Sequence, residues 1–232
     1  MQQVPRVTAG SPSDLSEQLG RIYDARFANT RQYRNDVWRI LTKDFFQRWI
    51  PEDSTVLDLG CGYGEFINNI RCAVKYGMDL NPGAAQHLAP GVKVLAQDCS
   101  ERWSLPDKSL DVVFTSNFFE HLPDKSALSR TLAEAHRCLR PKGRLMAVGP
   151  NIKILPGQYW DFFDHYLPLT ELSLAEGLRA SGFTVARADA RFLPYTIVNA
   201  PRYPLVLVRA YLTMPIAWRI FGRQFFVVAE KA

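Results

Sequence analysis

Asp58, Gly60, Gly62, Gly64 and Glu65 fall within eight residues, in and just after the run Val56-Leu57-Asp58-Leu59-Gly60-Cys61-Gly62-Tyr63-Gly64. An apolar stretch that runs into glycines at alternate positions reads as a strand feeding a tight turn. A ligand can touch the backbone of such a turn, because glycine has no Cβ to obstruct it. A G-x-G element does not choose the ligand, since dinucleotide-binding folds share it. The neighbouring charge is more selective. Two carboxylates beside the turn repel a diphosphate and favour a ligand that carries positive charge.

A second acid, Asp79, ends the next apolar run, 19 residues after Gly60. That is close to the spacing of a ribose-binding carboxylate, which can accept both ribose hydroxyls in charge-assisted hydrogen bonds. Asp98 follows the third apolar run, where an adenine amino group can meet it. S-adenosylmethionine combines these features: ammonium, sulfonium, ribose and adenine. Methyl transfer from it is an in-line displacement, so a protein must chiefly align the acceptor and exclude water. A base is needed only where the acceptor arrives protonated.

Two histidines stand where such a base would be useful. His121, in Phe119-Glu120-His121-Leu122, follows the fourth strand, and His165, in Asp161-Phe162-Phe163-Asp164-His165-Tyr166, follows the fifth. Asp164 beside His165 suggests an orienting acid, although adjacent residues of a regular element point apart. Asp161, Asp164 and His165 are also metal-compatible types. No matching acid pair stands on the fourth-strand rim, so no metal is expected. His87 and His136 fall on predicted helices and read as solvated or packing residues.

The elements that must position these residues follow from periodicity. Strands are predicted at Thr55–Leu59, Val74–Asp79, Val92–Ala96, Leu110–Ser116, Arg144–Val148, Thr184–Asp189 and Phe225–Glu230. Helices are predicted at Glu65–Ile70, Pro82–His87, Leu128–Leu139 and Thr170–Ala180, with two more between Ser16 and Trp49. Continuous apolar runs such as Val112-Val113-Phe114 suit strands covered on both faces. The alternation predicts an α/β fold: a doubly wound, mostly parallel, seven-stranded sheet with helices on both faces.

The segments VLDLGCGYGEF, GMDLNP, AQDCSERWSLPDKSLDVVFTSNFFEHLPD and LRPKGRLMAVGPN, in that order, resemble the successive motifs of class I S-adenosylmethionine-dependent methyltransferases, of the stand-alone bacterial small-molecule type. The resemblance runs from about Val56 to Asn151. It implies that Gly60, Gly62 and Gly64, with Cys61 between them, line the methionine end of S-adenosylmethionine. Asp79, with Leu80 after it, would meet the ribose, and Asp98 with Cys99 the adenine. Ser116 and Asn117 would lie beside the methionine portion. The YRNDVW segment resembles a lid helix, which adds Tyr33 and Arg34 to the cofactor-binding candidates. The implied organisation is an N-terminal helical lid over 1–50 and a methyltransferase domain over 51–232, with an insertion at 191–224.

With 232 residues, 47% hydrophobic, the chain is sufficient for a full core. Four cysteines without a CxxC pair read as reduced thiols, and the polar start predicts no secretory leader, hence a cytoplasmic protein. The net charge of +5 sits entirely in 191–232, where Arg191, Arg202, Arg209, Arg219, Arg223 and Lys231 face one acid, Glu230. The neutral remainder argues against nucleic acid as partner. A small-molecule, sugar or lipid-linked acceptor is expected. The basic, aromatic stretch 202–223 is too short and too charged to span a membrane. It reads as a lid, a homodimer interface or a surface meeting anionic lipid at the inner face of a membrane. The competing classes are a nicotinamide-dependent oxidoreductase on a related fold and a cofactor-binding module without catalysis.

Overall fold

A computed structural model describes residues 31–195 and 202–232. The first of the two N-terminal helices expected from the sequence lies outside the described residues. The second is α1 (Arg31–Asp44), continued by a short 3₁₀ turn over Phe46–Trp49. Val37, Ile40 and Leu41 recur on the face that α1 buries.

Seven strands form a single sheet: β1 (Thr55–Leu59), β2 (Val74–Met78), β3 (Val92–Leu95), β4 (Leu110–Ser116), β5 (Leu139–Pro150), β6 (Phe183–Asp189) and β7 (Gln224–Lys231). Their order is β3-β2-β1-β4-β5-β7-β6, and β7 alone runs antiparallel to its neighbours. The expected doubly wound, mostly parallel seven-stranded fold is what the chain forms. Strand order reverses between β1 and β4, so their carboxyl ends open the crevice where such sheets bind ligands.

Successive residues of the central strands face opposite layers. Leu57, Val113, Leu145 and Val227 join one core with α2 (Lys125–Cys138) and α3 (Glu171–Ala180). Val56, Phe114, Met146 and Phe226 join the other with α1, Phe45, Phe46, Phe192 and Trp218. Asp124 caps α2 by accepting the Ala127 N–H at 2.8 Å, and Thr170 and Ser173 form a capping box on α3.

Two predicted helices take other forms. Residues 65–70 make consecutive turns rather than a helix. The Asn68 and Ile70 N–H groups keep bonds to the Gly64 and Phe66 carbonyls, but at Asn69 the side chain takes the Glu65 carbonyl at 2.7 Å while its N–H goes to Phe66. Pro82–His87 is a 3₁₀ helix, with Asn81 accepting from Gly83. The 191–224 segment, left unassigned by periodicity, carries α4 (Leu205–Thr213) and α5 (Pro215–Phe221), with residues 196–201 outside the described part. No helix among the described residues is long and apolar enough to cross a membrane.

Candidate active site

Gly60, Gly62 and Gly64 all adopt positive φ, at 72°, 49° and 74°. At Gly60 the requirement is double. The conformation disfavours L side chains, and a Cβ there would stand 2.2 Å from Phe118 Cδ2. The Gly60 and Cys61 N–H groups donate to the Met78 carbonyl, which stitches the turn to the end of β2.

Asp79 follows directly. Its Oδ2 accepts from Gly62 N and its Oδ1 from Asn81 N, both at 2.9 Å. Each carboxylate oxygen retains a lone pair for a further donor. Burial raises the Asp79 pKa, and the two backbone donors oppose that rise. Leu80, beside it, is 59% exposed, an apolar surface at the mouth of the crevice. Asp58 is buried beneath the turn, where desolvation pushes its pKa well up despite a hydrogen bond from the Ile67 backbone.

Glu65 is also buried, but Arg34 reaches it from α1 at 2.9 Å. Its charge is therefore compensated, and Asp58 and Asp79 remain as the acids that shape the field. The residues after Gly64 form turns rather than a helix, so no helix N-terminus stands where a dinucleotide's diphosphate would rest. Both facts bear on the oxidoreductase alternative: the first removes one of the repulsive carboxylates, the second removes the usual diphosphate donor.

The remaining cofactor candidates are distributed as follows. Asp98 is exposed, with Oδ1 accepting from Ser100 N at 2.7 Å. The Cys99 thiol is turned into the core against Thr131 and, by burial, pushed up to about 11. Only its backbone is left for a ligand. Asn117 sits at φ 49° after β4 and donates to Ser116 Oγ. Tyr33 Oη donates to the Tyr203 carbonyl and accepts from the Tyr203 N–H, so it fastens α1 to the start of α4. The Cys61 thiol packs against Gly77.

The two candidate bases are 44 positions apart in sequence but 5.1 Å apart between ring centroids. The segment after β5 folds back onto β4's exit because Tyr166 N and Leu167 N both donate to the Glu120 carbonyl, at 2.8 and 3.0 Å. His121 Nδ1 lies 2.7 Å from the Asp164 carbonyl and 3.4 Å from Asp164 Oδ2. A carbonyl only accepts, so Nδ1 carries the proton and Nε2 presents its lone pair. Asp164 thus orients His121, 43 positions away in sequence. His165 is buried among Phe162, Tyr159 and His121.

Sequence reasoning missed Glu120. It is 4% exposed, and burial pushes its carboxyl up to about 7. One ligand-type atom from each of Glu120, His121 and His165 falls within 4.8 Å of the others, a spacing a small cation could bridge. The set differs from the Asp161, Asp164 and His165 weighed from sequence; Asp161 is exposed. His87 is not merely solvated, since Arg31 bonds its Nδ1 at 2.7 Å. His136 packs on Phe183.

The site suits S-adenosylmethionine: a glycine turn open to backbone contact, buried acids for a cationic ligand, a carboxylate at ribose spacing and an apolar flank. Comparison with known proteins agrees. A family described as a methyltransferase domain matches residues 30–188. The malonyl-[acyl-carrier protein] O-methyltransferase of Methylococcus capsulatus is 31% identical over 159 residues, 62% of this chain and 56% of that protein. The 2-methyl-6-phytyl-1,4-hydroquinone methyltransferase of Synechocystis is 26% identical over 208 residues, 78% of this chain and 62% of its own length. The chain therefore spans little more than half the length of these curated relatives. A SAM-dependent methyltransferase structure from Archaeoglobus fulgidus superposes with a TM-score of 0.59 at 26% identity, covering 83% of this chain and 94% of that one. This chain belongs to the class I S-adenosylmethionine-dependent methyltransferase family.

Proposed function

We propose that this chain transfers a methyl group from S-adenosylmethionine to a small-molecule hydroxyl, with nitrogen as the second acceptor atom to test. The observation that carries the reading is the locked tautomer of His121. Asp164 fixes Nδ1–H, leaving Nε2 to take the acceptor's proton beside the exit of β4. Bound S-adenosylmethionine would supply the activated methyl, held by the backbone of Gly60, Gly62 and Gly64, by Asp79 and Leu80, and by Asp98 with the Cys99 backbone. Ser116 and Asn117 would flank it, and α1 would cover it through Arg34. His165 packs against His121, 5.1 Å between ring centroids, and is the second candidate base.

An amphiphilic or carrier-borne acceptor has some support in the names of the two relatives, one naming an acyl-carrier protein and the other a phytyl hydroquinone. The α4–α5 segment leaves two partners open, a lipid surface and a second copy of the chain. Mass spectrometry of the purified protein for bound cofactor, then a metabolite screen with labelled methyl donor, tests the reading. His121→Ala should lower kcat by roughly 10²–10⁴ with cofactor affinity unchanged. Near-normal turnover in both His121→Ala and His165→Ala would leave alignment alone as the mechanism. Activity lost to a chelator and restored by a divalent ion would replace the proton-relay reading with a metal at Glu120.

A further inference from the structure

Beneath the elbow between α4 and α5 lies a groove of about 890 Å³ lined by Arg48, Arg187, Arg191 and Arg219 over Trp49 and Trp218. Its two acids are already engaged, Asp44 by Arg209 at 3.0 Å and Asp189 by Arg187. Three of the arginines are held in place. Arg187 stands over Trp49, Trp218 and Phe226 at 5.4–5.9 Å, Arg48 over Phe45 at 4.7 Å, and Arg191 donates to the Gly222 carbonyl. A guanidinium has five N–H donors, so each keeps donors for an anion after these contacts. Fixed, planar donors on aromatic backing suit a phosphate group.

The outer side of the same elbow is apolar. Val206, Leu207, Ile216, Ile220 and Phe221 are each more than half exposed, while Leu212 and Trp218 point inward and anchor the helices. Ile216 and Ile220 lie one turn apart on one face. Arg219 belongs both to the groove and to the outer rim, and Arg223 is exposed beside it. An apolar patch of this kind with a cationic border marks a surface that lies on something rather than in water. Helices of nine and seven residues cannot cross a bilayer.

We propose that the α4–α5 elbow docks this chain on an anionic phospholipid bilayer, the groove taking a lipid phosphate while Ile216, Ile220 and Phe221 enter the acyl boundary. A second copy is a poorer occupant. A two-fold contact sets the same patch against itself, which gathers Arg219 and Arg223 of both copies at one seam with no acid in 202–223 to offset them. The concentration of the chain's whole net charge in 191–232 fits an anionic surface. The proposal rests on this surface and not on methyl transfer, so either can fail alone.

The test is sedimentation of the full chain with phosphatidylglycerol–phosphatidylcholine vesicles, with pure phosphatidylcholine vesicles as the comparison. Binding to the anionic vesicles is expected at low salt, weakening as salt rises, with none to the neutral ones. Arg219→Glu with Arg223→Glu should weaken binding at least roughly 30-fold, at about fivefold per arginine. Ile216→Asn with Ile220→Asn should abolish it with net charge unchanged. Circular dichroism melts identical to wild type would show these exposed variants folded. Indifference to anionic vesicles at low salt overturns the proposal, and so does equal binding to neutral ones. A melting shift with inorganic phosphate but no vesicle binding would make the groove a free-phosphate site instead. A dimer that the isoleucine variant dissociates, again with no vesicle binding, would make the patch a self-interface.

Discussion

At the scale of single residues, the site depends on carboxyl groups held away from water. Asp79 is the one proposed to meet the cofactor, with both oxygens already aligned by Gly62 and Asn81. Asp79→Ala should weaken S-adenosylmethionine binding by about 2 kcal/mol or more, read by calorimetry on the folded variant. Glu120 carries a pH signature. Its folded pKa near 7 exceeds the roughly 4.3 of an unfolded glutamate, so the native state binds more protons across that interval. Its burial therefore destabilises the chain most above pH 7, and the penalty fades as pH falls toward 4.3, by about 4 kcal/mol at most. Glu120→Gln should raise the melting temperature at pH 8 and flatten its dependence between pH 7 and 5. Equal losses at both pH values would show that the carboxyl is ionised and compensated in the native state.

At the scale of elements, the glycine turn and the α1–α4 contact make separable demands. Gly60→Ala should cost about 2 kcal/mol from the left-handed backbone alone, with a further steric part because its Cβ would meet Phe118. Adding Phe118→Ala should recover the steric part and not the backbone part, a non-additivity that thermal melts of the two single variants and the double variant can resolve. The strands were legible from sequence because their apolar runs are buried on both faces, as in Val112, Val113 and Phe114. Residues 65–70 were not, because the helix-like pattern there is interrupted where the Asn69 side chain takes the Glu65 carbonyl and its N–H turns to Phe66. The α4 and α5 helices escaped periodicity for a different reason. Val206 and Leu207 outside are as apolar as Leu205 and Val208 inside, so no polar face sets a 3.6-residue rhythm.

Across the whole molecule, the sites join residues that sequence could place only one at a time. The acids and glycines proposed for the cofactor lie on consecutive strand ends, which is why spacing picked them out as candidates. Glu120 and the pairing of Asp164 with His121 depend on a chain reversal more than 40 residues later, and no local pattern encodes that. Helix α1 connects the two faces proposed for the cofactor and for the membrane. One side chain, Arg34, ends at Glu65 under the glycine turn, and its neighbour Tyr33 ends on Tyr203 at the elbow. Tyr33→Phe should loosen that tie by about 1 kcal/mol, seen as faster amide exchange across Leu205–Thr213. With the tie intact, α1 behaves as a short beam resting on both supports. A load applied at the elbow has to tilt the beam, and so disturb the Arg34 end, or break the tyrosine clasp. Whatever free energy an elbow ligand transmits this way must return with equal size and sign when the other pocket fills first.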